Sequence, residues 1–357
     1  MGDNAGSILI TGANGGLGSA VASQIATNPS LQGYYGIYTI RDAASTPALD
    51  AALSGGQGGT STSAHNFEKV SLDLSRLNDV RQVATDIKAR IESGQIPPIR
   101  ALVLNAGVEE FTTQTWTDEG LDKTFATNYL GHWLLTMILL GSMDREKGRI
   151  IWITSWSHNP QHQQNIMNGA YEDDKYKQFI VDDLEAIAKG TWSANQDDST
   201  GWAAGYRRYG ASKLCGVMMI HELQRRLDQD TRLHNISVLA LDPGAMPTDI
   251  VRRSPSWFVR VLMFQVILPV LGTVTTRLWP NGSFRTLQKS ASDVLSAALD
   301  SGPRPLSEHP KGLFLNGSEL SDYNSEAKDP VKCEIVWKGS LHYAKLEDGQ
   351  TLLQNWK

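Results

Sequence analysis

Residues 7–18, SILITGANGGLG, decide how this chain is read. An apolar run, Ile8 to Ile10, breaks into four glycines within seven residues, at 12, 15, 16 and 18, and then becomes a helical pattern. The run reads as a buried strand. Gly12, Gly16 and Gly18 remove side chains where the backbone must turn and come close to an anionic ligand, and the helix that follows aims its amide groups at the same spot. A phosphate is expected there. A glycine-rich turn also serves as an ordinary strand-to-helix loop, so the assignment depends on what surrounds it.

Working outward, Gly16 to Asn28 places Leu17, Val21 and Ile25 on one helical face, and Asn28-Pro29 stops the helix. Gly33 to Arg41 is a second strand, which completes the first half of a dinucleotide-binding βαβ unit. An acidic residue at the end of that strand would accept hydrogen bonds from a ribose diol. The chain offers Arg41 instead, whose guanidinium suits the 2′-phosphate of NADP, with Asp42 directly after it.

Residues 54–64, rich in glycine and serine, read as a flexible surface connection. Val70, Leu72 and Leu74 alternate in a third strand that carries Asp73 at its end. Ser75 is placed to cap a helix with Val80, Val83, Ile87 and Ile91 inward. Ile99 to Leu104 is a fourth strand running into Asn105-Ala106-Gly107, small residues at the edge where open parallel sheets bind ligands. A helix over Asp118 to Leu140 carries Leu121, Phe125, Tyr129, Trp133 and Leu140 as an apolar stripe. Asn128 lies within that stripe and needs partners. Ile150 to Ile153 is a fifth strand ending in Thr154-Ser155, at the same edge as the glycine turn.

From Trp156 to Arg208 the parallel rhythm is suspended. An acidic helix is expected here, with Ile180, Leu184 and Ile187 on its inner face and a solvated charged face outside. His158 and His162 are four apart, but Pro160 between them argues against a helical ligand pair, and no metal site is expected. The rhythm returns with Tyr209-Gly210-Ala211-Ser212-Lys213 opening a helix through Leu227. A strand over Ser237 to Leu241 follows, and then Asp242-Pro243-Gly244-Ala245-Met246-Pro247-Thr248.

The 357 residues are 41% hydrophobic and 20% charged, with a net charge of −5, which describes a globular protein and argues against nucleic-acid binding. Cys215 and Cys333 are too few for a disulfide framework, so a reducing, cytoplasmic setting is expected. The N-terminus has neither the basic region nor the long apolar core of a secretory or transit peptide.

With these residues in hand, the chain resembles the short-chain dehydrogenase/reductases over most of its length, and within them the retinol-dehydrogenase-like and fungal members. Seven pieces carry the resemblance: Thr11-Gly12 with Gly16-Leu17-Gly18, Asp73-Leu74, Asn105-Ala106-Gly107, Asn128, Ser155, Tyr209 with Lys213, and Pro243-Gly244 with Thr248. It implies that the dinucleotide is held by those glycine-turn residues with Asn14, by Asp73 near the adenine with Leu74, and by Asn105 beside the adenosine ribose with Ala106 and Gly107. Pro243, Gly244 and Thr248 would lie near the carboxamide or pyrophosphate, and Tyr209 and Lys213 would also touch the cofactor. Asn128, Ser155, Tyr209 and Lys213 are then the catalytic set.

The spacing makes chemical sense by itself. Tyr209 and Lys213 are i and i+4 on a helix, so the ammonium can lower the phenol's pKa and hold ribose hydroxyls. Ser155 would hydrogen-bond the substrate oxygen, and Asn128 would hold a water continuing a proton path to Lys213. The chain departs from the family pattern in three places. Ser155 and Tyr209 are separated by a long insertion, Trp152 stands where the family often has Asn, and Gly15 stands where a basic residue often supports NADP.

Trp257 to Gly272, WFVRVLMFQVILPVLG, is shorter than the ~20 residues a bilayer span needs and is interrupted by Arg260, Gln265 and Pro269. It reads as a hydrophobic lid, with an interfacial membrane helix, a core helix and a dimer contact as alternatives. Gly312 to Asn316 would be the last strand, and a C-terminal helix is expected near Glu334 to Leu346.

The expected fold is one Rossmann-type α/β domain over residues 1–357, with a doubly wound, seven-stranded parallel sheet and helices on both faces. The insertion at 156–208 and a lid at 249–285 would form the substrate wall. The expected function is an NADP(H)-dependent oxidoreductase moving hydride between the nicotinamide and a carbonyl or secondary alcohol of a bulky lipophilic compound, for example a fungal secondary metabolite. A cofactor-binding protein of this fold with a non-redox, ligand-shaping role is the alternative. Peripheral membrane contact and a homo-oligomer stay open.

Overall fold

The computed structural model describes residues 5–54, 65–198, 200–246 and 268–357. β1 (Ser7–Thr11) passes through the glycine turn into α1 (Gly16–Thr27), β2 (Tyr35–Ile40) leads to α2 (Pro47–Leu53), and β3 (Phe67–Ser71) to α3 (Leu77–Glu92). β4 (Ile99–Leu104) precedes a helical element that starts as α4 (Lys123–Phe125), widens to a π-helical turn over Ala126–Leu130 and continues as α5 (Gly131–Leu139). After β5 (Arg149–Ile153) the insertion contributes α6 (Gln163–Asn168) and α7 (Glu185–Ala188) and feeds the long α8 (Ala203–Gln229). β6 (Ser237–Asp242), α9 (Leu268–Leu278), α10 (Leu287–Leu299), β7 (Leu313–Asn316), β8 (Glu319–Leu320) and α11 (Pro330–Ala344) complete the chain.

The strands form one open sheet in the order β3-β2-β1-β4-β5-β6-β7-β8. β1 to β7 are parallel, and the order reverses between β1 and β4, where open α/β sheets hold their ligands. The expected seven strands become eight because Gly317, at φ +64°, and Ser318 turn the chain back after β7. Glu319 and Leu320 then pair antiparallel with Asn316 and Leu315.

Strand alternation splits the core in two, as a doubly wound sheet requires. Leu9, Ile37, Leu102, Ile150, Val238 and Phe314 point to the face covered by α3, α5, α8 and α11. Ile8, Ile10, Tyr38, Val103, Ile151 and Leu239 point to the face covered by α1, α2 and α10.

Several boundaries differ from the sequence reading for identifiable reasons. β3 stops at Ser71, so Leu72 and Leu74 are buried beyond its end. Asp73 Oδ1 accepts both the Ser75 amide (2.9 Å) and the Ser75 hydroxyl (2.7 Å), so Ser75 is committed to that turn and α3 starts at Leu77. The acidic helix of the insertion is not formed. Ile180, Leu184 and Ile187 do point inward, but the Glu326 carboxylate accepts the amides of Phe179 (2.8 Å) and Ile180 (2.9 Å), which holds that backbone extended. The α-helical part of that stretch is Glu185–Ala188, with a 3-10 turn at Asp174–Tyr176. Tyr209 does not open its helix; α8 begins at Ala203. The C-terminal helix begins at Pro330, with Asp329 accepting the amides of Val331 and Lys332. Most of the apolar run 257–272 lies outside the described residues.

No helix among the described residues is long and apolar enough to cross a membrane.

Candidate active site

The glycine turn is locked to the end of β4. Gly12 has φ +67°, and a Cβ there would lie 2.8 Å from the Ala106 Cα; a Cβ at Gly18 would lie 2.5 Å from the Gly12 carbonyl oxygen. These two glycines are therefore fixed by close approach within the protein. The Thr11 hydroxyl accepts the amides of Asn105 (2.9 Å) and Ala106 (3.0 Å), and the Asn105 side chain donates to the Thr11 carbonyl (2.8 Å). Thr11 in turn donates to His132 Nε2 at 2.8 Å, while His132 Nδ1 donates to the Asn128 carbonyl at 3.2 Å. Burial pushes the His132 pKa down to about 3, so the ring stays neutral with its proton on Nδ1.

Gly15 and Gly16 remain at the surface, and the first turn of α1 has no side-chain cap. A twelve-residue helix with an open N-terminus behind a glycine turn suits a pyrophosphate, so the residues fit the dinucleotide that the sequence implied. Leu17 is buried under the turn. Asn14 reaches the next helix: its Oδ1 accepts the amides of Ala48 (3.1 Å) and Leu49 (3.0 Å) and so caps α2, whose own N-cap Thr46 makes no such bond. It braces the turn from behind.

At the ends of β2 and β3 lies a cavity of about 340 Å³ lined by Arg41, Leu72, Asp73, Arg76, Gln82 and neighbouring residues. Asp42 is turned into its own loop, accepting the Ala44 amide at 2.9 Å. Burial opposes the Asp73 charge, but the Ser75 hydrogen bonds, with Arg41 and Lys123 nearby, prevail and hold its carboxyl below the ordinary range. Leu74 is buried against the helix of Gly131, where a Cβ would fall 2.2 Å from the Leu74 carbonyl oxygen. Arg76 was not singled out in the sequence, because its position only acquires meaning once α3 is seen to start after it.

Ser155, Tyr209 and Lys213 converge at the carboxyl edge of β5. Lys213 Nζ donates to the Ile153 carbonyl at 3.0 Å and lies 5.4 Å from the centre of the Tyr209 ring. The Ser155 side chain lies beside the phenol and lowers its pKa. The approach depends on Gly210, where a Cβ would meet the Tyr171 hydroxyl at 2.1 Å and the Ser157 carbonyl oxygen at 2.4 Å. The expected lowering of the phenol's pKa by Lys213 is not the dominant effect. Burial, with the carboxylates of Glu109 and Asp242 beside it, holds the Tyr209 phenol well above its ordinary pKa, and only Ser155 favours the phenolate. Burial likewise pushes Lys213 down to about 8, against the pull of Asp242 and Glu109.

Asn128 sits in the π-helical turn and is wholly buried. Its Oδ1 accepts the Val108 amide (2.8 Å), and its Nδ2 donates to the Val108 carbonyl (2.9 Å) and the Ser212 hydroxyl (3.1 Å). The side-chain amide is therefore engaged with protein on both its polar ends. It pins the segment after Gly107 against α8.

Ser155 is steadied by a histidine the sequence reading had weighed only as a metal ligand. His158 Nδ1 donates to the Ser155 carbonyl at 2.6 Å, and its Nε2 accepts the Asn324 amide at 3.4 Å. Burial brings its pKa down to about 4, so it works as a neutral strut. His162 instead stacks on Trp156, with ring centres 5.7 Å apart. Trp152, in the family's Asn position, is buried beneath α8, where Gly216 makes room for its indole.

Beyond β6, Gly244 has φ +73° and donates its amide to Asp242 Oδ1 at 2.8 Å, while the Pro243 carbonyl accepts the Ser290 hydroxyl at 2.7 Å. Arg285, fully buried, donates to the carbonyls of Asp242, Asn281 and Gly282 and fixes this turn. Thr248 lies outside the described residues.

Two arginines directly before Tyr209 gather the insertion. Arg207 donates to the Ser193 hydroxyl (2.7 Å) and the Ala170 carbonyl (2.9 Å), and its guanidinium lies 3.7 Å from the centre of the Tyr176 ring. Arg208 donates to the carbonyls of Ser193, Thr113 and Glu110 and pairs with buried Asp122 at 3.2 Å.

A doubly wound sheet with an open helix N-terminus behind a glycine turn, and a serine, tyrosine and lysine meeting above it, defines a dinucleotide-dependent oxidoreductase. A short chain dehydrogenase family model matches residues 7–171. The chain is 43% identical to the short-chain dehydrogenase iccH of Talaromyces variabilis, covering 99% of each chain. It therefore belongs to the short-chain dehydrogenase/reductase family. Among solved structures it is similar to an uncharacterised protein of Mycobacterium paratuberculosis, with TM-score 0.60, 22% identity and coverage of 96% of this chain and 94% of that one. It is also similar to the NADPH-bound carbonyl reductase of chicken fatty liver, with TM-score 0.54, 18% identity and coverage of 89% and 98%. At those identities the likeness is one of fold.

Proposed function

We propose that the protein is an NADP(H)-dependent oxidoreductase acting on a carbonyl, or in reverse a secondary alcohol, of a bulky lipophilic compound. The observation that carries this reading is the meeting of Ser155, Tyr209 and Lys213 at the edge of the sheet that also holds the glycine turn. The cofactor, when bound, supplies or accepts the hydride. Ser155 holds the substrate oxygen by a hydrogen bond, with His158 fixing its backbone. The Tyr209 phenol is protonated throughout the neutral range and so is a proton donor in reduction. Lys213, anchored on Ile153, holds ribose hydroxyls and a positive charge next to the phenol.

Preference for NADP is supported by Arg41 and Arg76 on one cavity wall, with Asp42 turned away into its loop. Two guanidiniums suit a phosphate better than a ribose diol. The NADPH named for the chicken carbonyl reductase agrees with this. The insertion forms the substrate wall, since Tyr171 and Tyr206 stand directly beside Tyr209 in the packing of α8.

The test is a pair of titrations with NADPH and NADH, followed by turnover on apolar ketones monitored by loss of reduced-nicotinamide absorbance. Tighter binding of NADPH and ketone-dependent oxidation are expected. Preference for NADH would overturn the phosphate assignment. NADPH binding without turnover on any ketone or alcohol would move the function to ligand shaping.

A further inference from the structure

His132 carries none of the roles assigned above, yet it is bonded to both halves of the site. Counting the hydrogen bonds of the Thr11 hydroxyl fixes what this histidine must be. A hydroxyl has one proton and two lone pairs. Both lone pairs are used, by the amides of Asn105 (2.9 Å) and Ala106 (3.0 Å), so the proton needs an acceptor. Two are near: His132 Nε2 at 2.8 Å, and the Val103 carbonyl at 3.5 Å, which is too long for a good bond. Nε2 is therefore unprotonated, and the ring proton sits on Nδ1, facing the Asn128 carbonyl at 3.2 Å.

The ring is seated from two sides. Gly131, directly before it, lies so close to Leu74 that a Cβ would fall 2.2 Å from the Leu74 carbonyl oxygen, which sets the helix tightly on that chain. Trp152 meets the imidazole edge to face, with ring centres 5.8 Å apart at 81°. His132 is 1% exposed and Thr11 is fully buried. The bonds enclose residues 105–108. The amides of Asn105 and Ala106 end on Thr11, and Val108 is clamped by both polar ends of the Asn128 side chain. His132 joins the two clamps. Between them Gly107 runs so near the lysine that a Cβ there would lie 3.6 Å from Lys213 Nζ and 3.6 Å from Asn128 Oδ1.

We propose that His132 is a positioning residue, a neutral bridge that keeps the strip 105–108 seated for the dinucleotide by acting through the Thr11 hydroxyl and the Asn128 carbonyl. The inference rests on the dinucleotide reading of this edge. Without an acceptor at position 132 the Thr11 proton turns to the Val103 carbonyl, and the hydroxyl is drawn away from the Asn105 and Ala106 amides. The strip then loosens where it meets the cofactor, while Lys213 keeps its own anchor on Ile153. Burial, which brings the ring's pKa down to about 3, agrees with the tautomer that the bond count requires.

The test begins on the full chain without cofactor. With the histidine nitrogens labelled, the resonances lost in His132→Gln identify the ring, and a pyridine-type Nε2 with a pyrrole-type Nδ1 is expected, unchanged from about pH 5 to 9. The opposite tautomer, or a charged ring in that range, would overturn the proposal. Saturation with NADPH should shift the Nε2 resonance; an unmoved resonance in the loaded protein would count equally against it. Binding titrations supply the second reading. Thr11→Val and His132→Phe should each weaken NADPH binding by about tenfold, the size of one lost hydrogen bond, and the double variant by hardly more than either, because both break one link. His132→Gln, whose amide oxygen can take the place of Nε2, should recover most of that loss, and kcat at saturating NADPH should stay within about threefold in all of them. Losses that multiply in the double variant, or a glutamine no better than phenylalanine, would reduce His132 to packing. Should the wild type bind neither NADPH nor NADH, the dinucleotide reading fails and this role falls with it; multiplying losses in a protein that does bind remove His132 alone.

Discussion

The cofactor edge and the insertion are held together by opposite means. Around residues 11–18 and 105–107 the contacts are backbone amides, carbonyls, one threonine hydroxyl and the short Asn105 amide, drawn tight because glycines allow the chain to approach itself. Across residues 156–202 they are long side chains reaching over from elsewhere: Arg207 and Arg208 from α8, Glu326 from the stretch before α11, and tryptophans and tyrosines stacked between them. The first kind of contact requires particular residues at particular spacings. The second requires only that some arginine meets some carbonyl, and so the first edge is common to a large family while the second is where this chain departs from it.

The contrast is broken most directly at Tyr209, where the two regions meet. Tyr209→Phe keeps the ring and removes the proposed proton donor, so kcat for carbonyl reduction should fall by ~10²–10⁴ while NADPH affinity, measured by fluorescence titration, stays within about twofold. A near-native rate would remove the tyrosine from the mechanism. Next in size is Arg208→Met, which leaves Asp122 buried without its partner and should cost about 3–5 kcal/mol in denaturant unfolding. Limited proteolysis should then cut within 156–202 first; cleavage spread evenly over the chain would mean that the arginine is not specific to the insertion.

Arg41→Asp should weaken NADPH binding by roughly 10- to 100-fold, the worth of charge-assisted hydrogen bonds at about 1.5–3 kcal/mol, and leave NADH binding little changed or improved. Equal loss for both cofactors would mean that the arginine supports the fold of the cavity. The smallest effect is expected at His158→Gln. One hydrogen bond to the Ser155 carbonyl is worth about 0.5–1.5 kcal/mol, so kcat/KM should drop up to about tenfold with cofactor affinity intact. Because His158 is already neutral above about pH 4, its loss should not reshape the pH profile between 6 and 9.

How far the sequence could be read follows from the same contrast. Strand alternation outside β3, the Gly12 to Gly18 turn and the i, i+4 spacing of Tyr209 and Lys213 on one helix are local patterns, and the elements that carry them form. Ser75 was misjudged because the Asp73 carboxylate satisfies it in a way that a list of spacings does not disclose, and the α2 amides that Asn14 accepts are equally invisible there. The acidic stretch read as a helix because Ile180, Leu184 and Ile187 have helical spacing. Glu326, almost 150 residues later, takes the amides that a helix would have used.

The length of α8 has a consequence for anyone wishing to exchange the insertion between relatives. The helix begins six residues before Tyr209, and that leading segment, Ala203 to Arg208, is where Gly205 abuts the Glu110 carbonyl and both arginines are rooted. A graft cut at Tyr209 would leave the donor loop without its fastenings. A graft that carries residues 156–208 as one cassette takes the clasp along, and needs in the recipient an acidic residue at position 122, free carbonyls at 110 and 113 and a carboxylate in the place of Glu326. Substrate range would then be transferable as a unit, with the hydride chemistry left in place.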